Sequence, residues 1–144
     1  MAKAWLRHWP EGVPQNLTYP EIPLPEILTL TARKYPNNTA IIFFGKKLTY
    51  RELDDLSNRF ASALVNLGVK KGDRVALFLP NVPQFPICYY GALRAGAIVV
   101  PCSPLYKERE LEFQLNDSGA ETVVALDLLY EHLAPIRGKT KLRN

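Results

Sequence analysis

Residues 74–79 read RVALFL, and after Arg74 the run is apolar with no polar alternation. A strand that shows one face to water alternates apolar and polar residues, whereas a strand covered on both faces does not. Six residues are too few for a buried helix, and turn residues bracket the run, with Lys71-Gly72-Asp73 before it and Pro80-Asn81 after it. The segment therefore predicts a strand buried on both sides, which requires helices above and below.

The flanking sequence supplies those helices. Thr49 and Glu52 have the spacing of a capping box, and Tyr50, Leu53, Leu56, Phe60, Ala61, Leu64 and Leu67 form an apolar stripe that stops at Gly68. After the strand, Asn81 is placed to cap a second helix whose face holds Phe85, Cys88, Tyr89, Ala92 and Leu93, with Gly96 at its end. Pro86 removes an amide donor there, so it is expected to bend the helix or delay its start. Residues 97–101 (AIVVP) predict another strand, 109–117 a helix closed by Gly119, and 121–126 (ETVVAL) a further strand.

Upstream, Leu24, Ile27, Leu28, Ala32 and Tyr35 recur at helical spacing, with Pro25 in the first turn and Pro36 ending the run. Residues 39–44 (TAIIFF) and 47–50 predict a small β-hairpin turning at Gly45-Lys46. Strands that alternate with helices through short connections give an α/β fold: a mostly parallel sheet with helices on both faces, plus the hairpin. With 47% hydrophobic residues in 144, the chain has material for one such core.

Two parts are expected. Residues 24–144 form the α/β subdomain. Residues 1–23 form an extended arm, because Pro10, Pro14, Pro20 and Pro23 disfavour regular structure while Trp5, Leu6, Trp9 and Tyr19 make it too apolar for a solvated tail. It reads as a docking arm, expected to pack on its own chain, with a partner-binding peptide as the alternative.

Several function classes are disfavoured. Lys and Arg exceed Asp and Glu by 18 to 14, but they are scattered, with no basic stripe interleaved with aromatics, so nucleic acid is not an expected partner. Cys88 and Cys102 lie among apolar residues, as buried reduced thiols of a cytoplasmic protein do, and they supply too few ligands for a metal. No run approaches the ~20 apolar residues of a membrane span, and the first residues lack the apolar run of a signal peptide, so neither a transmembrane segment nor export is expected.

Gly138-Lys139-Thr140 resembles the end of a phosphate-binding loop, but the glycine that should precede it is Leu133. The turn after RVALFL offers Pro80-Asn81-Val82 where a dinucleotide site needs glycines. His8 and His132 have no acid partner recognisable by pattern, and Glu108, Glu110 and Glu112 read as a solvated helix start.

Four segments in fixed order carry a family likeness: LTYREL at 48–53, GDRVALFLPN at 72–81, YYGALRAGAIVVP at 89–101 and SPLYKERELEFQLNDSGAE at 103–121. Over about residues 24–126 the chain resembles the N-terminal region of adenylate-forming enzymes, and among them the fatty acyl-CoA synthetases; the last of the four segments looks most like that of long-chain fatty acid ligases. The resemblance implies a parent enzyme that activates a fatty acid with ATP and magnesium and passes the acyl group to coenzyme A.

The family's Ser/Thr/Gly-rich phosphate loop ending in lysine does not occur here, so the resemblance implies an N-terminal fragment, inactive alone. No catalytic residue is carried over, no cofactor is expected to bind it tightly, and the remainder of the parent chain is its expected partner. An apolar surface left uncovered would favour self-association.

Ser103-Pro104 stands where many relatives have Asn-Pro, and Lys107 where they have a capping Thr. Leu105 replaces a basic residue that in some relatives contacts coenzyme A. Ser103 and Tyr106 are the candidate site residues: they either border the channel for the thiol acceptor or serve only to hold the loop. Two alternatives stay open: a free-standing, non-catalytic α/β binding or assembly module, and an adenylation enzyme with a different acceptor.

Overall fold

The computed structural model describes residues 3–144. Its centre is a three-stranded parallel sheet in the order β4-β3-β5, made of β3 (Arg74–Phe78), β4 (Ile98–Pro101) and β5 (Thr122–Ala125). Val75 is in register with Val99 on one side and Thr122 on the other. RVALFL is thus the middle strand, and residues 75–78 are fully buried.

Because successive side chains of a strand point to opposite faces, this strand feeds two cores. Val75, Leu77 and the following Leu79 pack with Leu64, Val69, Cys88, Ala92 and Ala97, brought by α2 (Tyr50–Asn66), α3 (Gln84–Arg94) and the turns after them. Ala76 and Phe78 pack with Cys102, Leu111, Leu115, Ala120, Leu133 and Ile136, brought by the loop after β4, by α4 (Glu108–Ser118) and the turn after it, and by α5 (Tyr130–Leu133) with a 3-10 segment, Ala134–Lys139. Each large side chain removed from water this way contributes about 1.5–3 kcal/mol. The expected α/β fold with helices on both faces is what forms.

The capping box at the start of α2 is complete: the Glu52 amide donates to Thr49 Oγ1 at 3.3 Å, and the Thr49 amide donates to Glu52 Oε2 at 2.8 Å. Ser57, a polar residue within the apolar stripe, is fully buried and donates to the Leu53 carbonyl at 2.6 Å. Opposite it, Gly91 of α3 lets the two helix backbones approach, since a Cβ there would lie 2.8 Å from the Ser57 carbonyl oxygen. Gly119 closes α4 in the left-handed conformation. Arg74 covers that end, Nε donating to the Ser118 carbonyl and Nη2 to that of Gly119, both at 3.0 Å. A cation at the last carbonyls of a helix also complements its dipole.

Two local expectations, the Asn81 cap and the hairpin turn, are corrected, and the one for Pro86 is met in one of its two forms. Asn81 caps nothing, because α3 begins at Gln84 after Pro83. Pro86 is then its third residue, where the missing N–H falls among the four amides that lack intrahelical partners; the delayed start is the outcome, not a bend. The hairpin of β1 (Thr39–Phe43) and β2 (Lys46–Thr49) turns at Phe44-Gly45, with Phe43 opposite Lys46. Both turn residues have positive φ, 45° and 78°, as the tight turn matching strand twist demands.

The arm forms a 3-10 turn, Ala4–His8, ahead of Pro10. From residue 3 to 23 every residue but the half-buried Leu6 is exposed, so the arm does not pack on the rest of the described chain. Its bonds near the tryptophans are local, such as Trp9 Nε1 donating to the Val13 carbonyl at 2.9 Å. The helix α1 (Leu24–Lys34) follows, with Leu28 and Ala32 buried.

Candidate functional site at the carboxyl ends of the sheet

In an open parallel sheet the crevice beyond the strand carboxyl ends, where the connections part, is the place a ligand can enter. Here the chain leaves β3 toward β4 and then crosses to the opposite neighbour, β5. Beyond the strand ends lie Leu79 and Pro80, the loop 102–107, and Leu126 with Asp127.

The loop after β4 holds itself in shape. The Tyr106 amide donates to the Ser103 carbonyl at 3.1 Å and the Leu105 amide to Ser103 Oγ at 3.3 Å, a turn with Pro104 at its favoured position. Ser103 and Tyr106 are thereby brought together, both partly buried, while Leu105 is 84% exposed. Tyr106 packs on the core that contains Phe78, and it lines an open cleft with Arg109, Glu110, Phe113 and Gln114. Gln114 donates from Nε2 to the Pro101 carbonyl at 2.9 Å, and its buried Oε1 has no partner among the described residues.

Lys107 offers no acceptor to cap α4; only the reciprocal half of the motif forms, its amide donating to Glu110 Oε2 at 3.3 Å. Its ammonium has another task, which sequence reading missed. Lys107 Nζ lies 2.9 Å from His132 Nε2, and His132 Nδ1 lies 3.0 Å from Glu108 Oε1.

An ammonium only donates, so Nε2 accepts and the ring proton sits on Nδ1, donating to Glu108. The Glu108 carboxyl is held below the usual carboxylate range first by its own backbone amide and then by His132. His132 therefore does have an acid partner, contrary to expectation, and Glu108 is not merely solvated. With the two 24 positions apart in the chain, no local pattern could have announced the pair.

Neither cysteine is a ready nucleophile. Both are free and buried, and burial pushes each thiol up to about 11. Gly138-Lys139-Thr140 forms no phosphate cradle: Gly138 and Lys139 end the 3-10 segment, Lys139 Nζ lies 3.8 Å from Glu112 Oε2, and the Thr140 hydroxyl donates to the Arg137 carbonyl. Among the described residues, no three His, Cys, Asp or Glu side chains converge as a metal site would need, and no helix is long and apolar enough to cross a membrane.

A family model described as "AMP-binding enzyme" matches residues 28–143. The chain belongs to the AMP-binding enzyme family. It is 47% identical over 128 residues to a long-chain-fatty-acid–CoA ligase of Bacillus subtilis (strain 168), covering 89% of this chain and 23% of that protein. To the ligase of the same name from Escherichia coli O157:H7 it is 40% identical, covering 100% of this chain and 26% of the relative.

Among solved structures, a long-chain-fatty-acid-CoA ligase from Archaeoglobus fulgidus matches with a TM-score of 0.83 at 34% identity, over 88% of this chain and 27% of that one. A benzoate CoA ligase from Burkholderia xenovorans LB400 matches at 0.80 and 27% identity, over 84% of this chain and 25% of that one. This AMP-binding family chain therefore spans about a quarter of the length of these relatives. The likeness to acyl-CoA synthetases read from the four ordered segments holds, and the sheet with its hairpin is that of the adenylate-forming N-terminal domain.

Proposed function

We propose that this chain is N-terminal scaffold of a fatty acyl-CoA ligase, and that the reacting groups lie in polypeptide outside it. The observation that supports this best is identity of 40–47% across nearly all of the chain to proteins named long-chain-fatty-acid–CoA ligase. In the whole enzyme a fatty acid carboxylate oxygen attacks the α-phosphorus of ATP and pyrophosphate leaves. The coenzyme A sulfur then attacks the acyl carbonyl and AMP leaves.

Adenylation develops charge that must be met by a phosphate cradle and a magnesium ion. The described residues do not fit that role: the turn after β3 is Pro80-Asn81, and Lys107 and Lys139 are each engaged with a neighbouring side chain. What this chain contributes is the rigid sheet and the loop after β4, with Ser103 and Tyr106 bordering the channel by which the thiol reaches the adenylate. We also read the protein as cytoplasmic, in keeping with its two free, buried thiols.

The test is pyrophosphate release with ATP, magnesium, a fatty acid and coenzyme A, for this chain and for the longer polypeptide containing it. The longer polypeptide is expected to turn over and the chain alone to be silent. Turnover by the chain alone, or a longer polypeptide that makes no acyl-CoA from any fatty acid, overturns the reading. Exposed Ile42, Phe44, Leu105, Phe113 and Leu128 are surface that further polypeptide would cover, so the chain alone is expected to self-associate. A single monomeric species in sedimentation velocity across a concentration series would refute that.

A further inference from the structure

His132 stands between α5 and the start of α4, its side chain only 14% exposed, and the proposed chemistry gives it no part. We infer that His132 is a positioning residue that clamps the loop after β4 to α5 only while its imidazole is neutral. The charged groups that meet it are Lys107 and Glu108 at the start of α4, and Glu131 on its own helix.

In the neutral ring, the Nε2 lone pair accepts a hydrogen bond from the Lys107 ammonium at 2.9 Å, while Nδ1–H donates to Glu108 at 3.0 Å. Lys107 is the residue that ends the loop, directly after Tyr106, so this bond anchors the loop's exit.

A proton on Nε2 reverses the arrangement. Both ring nitrogens become donors, and a donor with positive charge then faces an ammonium that can only donate. Like charges at such a distance repel, so Lys107 must leave. Glu131 Oε1, already 3.6 Å from Nε2, is the acceptor that takes the new N–H, while the Glu108 contact gains charge. The anchor thus passes from the loop to His132's own helix, and the loop's exit is released. Histidine is the side chain suited to such a change, since its charge ordinarily switches between about pH 5 and 8. The inference needs no assumption about the acyl acceptor; only its consequence for the thiol channel rests on the ligase reading.

The experiment is NMR of the 15N-labelled 144-residue chain from pH 8 to pH 5, following the His132 ring nitrogens and the amides of residues 105–108. The expected result is an Nδ1–H tautomer at pH 8 and loop amides that move in step with the ring. In Lys107→Met, which removes the bond to Nε2, the loop amides should no longer move in step with the ring. His132→Gln should leave the loop amides flat over the same range, because the ring whose charge changes is gone. An Nε2–H tautomer at pH 8, loop amides that still follow the ring in Lys107→Met, or loop amides that still titrate in His132→Gln would each overturn the inference. Lys107 is exposed, so its replacement keeps the fold if the glutamine variant does not. None of these readouts requires acyl-CoA formation, so their failure is separable from that of the ligase reading.

Discussion

Arg94 of α3 donates from Nη2 to Asp54 Oδ1 of α2 at 2.5 Å, an ion pair whose side chains are only 11% and 22% exposed. The same guanidinium donates from Nη1 to the Asp54 carbonyl at 2.9 Å and from Nη2 to Thr29 Oγ1 of α1 at 3.0 Å. One side chain therefore joins three helices. Arg94→Met leaves a shielded carboxylate without its cation and is expected to destabilise the chain by roughly 2–3 kcal/mol. Urea unfolding measures this, and the double variant Asp54→Leu with Arg94→Met should recover part of the loss, because no charge is then stranded.

Gly91→Ala should destabilise by about 1–3 kcal/mol, the usual penalty of overpacking. The new methyl would sit 2.7 Å from Phe60 Cδ1 and 2.8 Å from the Ser57 carbonyl oxygen. Phe60 can turn aside, but the α2 backbone cannot. Gly138→Ala, which meets nothing within 4 Å, is the control, and a denaturation midpoint lowered equally in both variants would contradict the argument.

Phe44→Asn should stabilise the hairpin by a few tenths to about 1 kcal/mol. Phe44 holds φ at 45° and is 93% exposed, so it carries left-handed backbone strain with almost no burial to offset it. Its ring does meet Phe43 edge-on at 4.5 Å, which limits the gain. Asparagine before Gly45 makes the pair this turn favours, and a raised thermal midpoint is the expected readout.

Both thiols should resist a disulfide reagent in the folded chain near pH 7.5, since burial holds each near 11 and the thiolate is the reacting form. In denaturant both should react at the rate of a free cysteine. Fast labelling of folded Cys102 would mean that the end of β4 opens readily.

The α2 capping box should leave a pH signature. The Thr49 amide, and then its hydroxyl, hold the Glu52 carboxyl below its usual range. A carboxyl depressed on folding adds stability above its unfolded pKa, and that stability is lost as pH falls through the folded value. Stability measured from pH 7 downward should therefore decline on the acid side, less steeply in Glu52→Gln. Glu108, also depressed, keeps some decline in that variant. Thr49→Ala should lose about 1 kcal/mol at pH 7.

The elements that were legible in the sequence are those fixed by neighbours in the chain. The Thr49–Glu52 box and the unbroken apolar run of β3 each state their own structure within a few residues. The start of α3 was not legible, because Asn81 obeys the capping rule locally while Pro83 and Pro86 decide where a helix can begin. The hairpin turn shifted by one because Phe44 takes a conformation its side chain disfavours. Least visible were pairs made by folding itself: Arg74 with Gly119, Arg94 with Asp54, and His132 with Glu108. At the candidate site, Ser103 and Tyr106 came from family likeness, whereas the charged cluster beside them has no signature in sequence spacing.

Arg74 has one further consequence. A strand bathed in hydrocarbon on both sides has no polarity reason to prefer one alignment over another, since sliding β3 by a single position would trade apolar faces for apolar faces. Such a slide would, however, carry the guanidinium ~3.3 Å along and turn it to the far side of the sheet, away from the Ser118 and Gly119 carbonyls it now grips. The lone cation of the middle strand is thus the pin that sets its alignment.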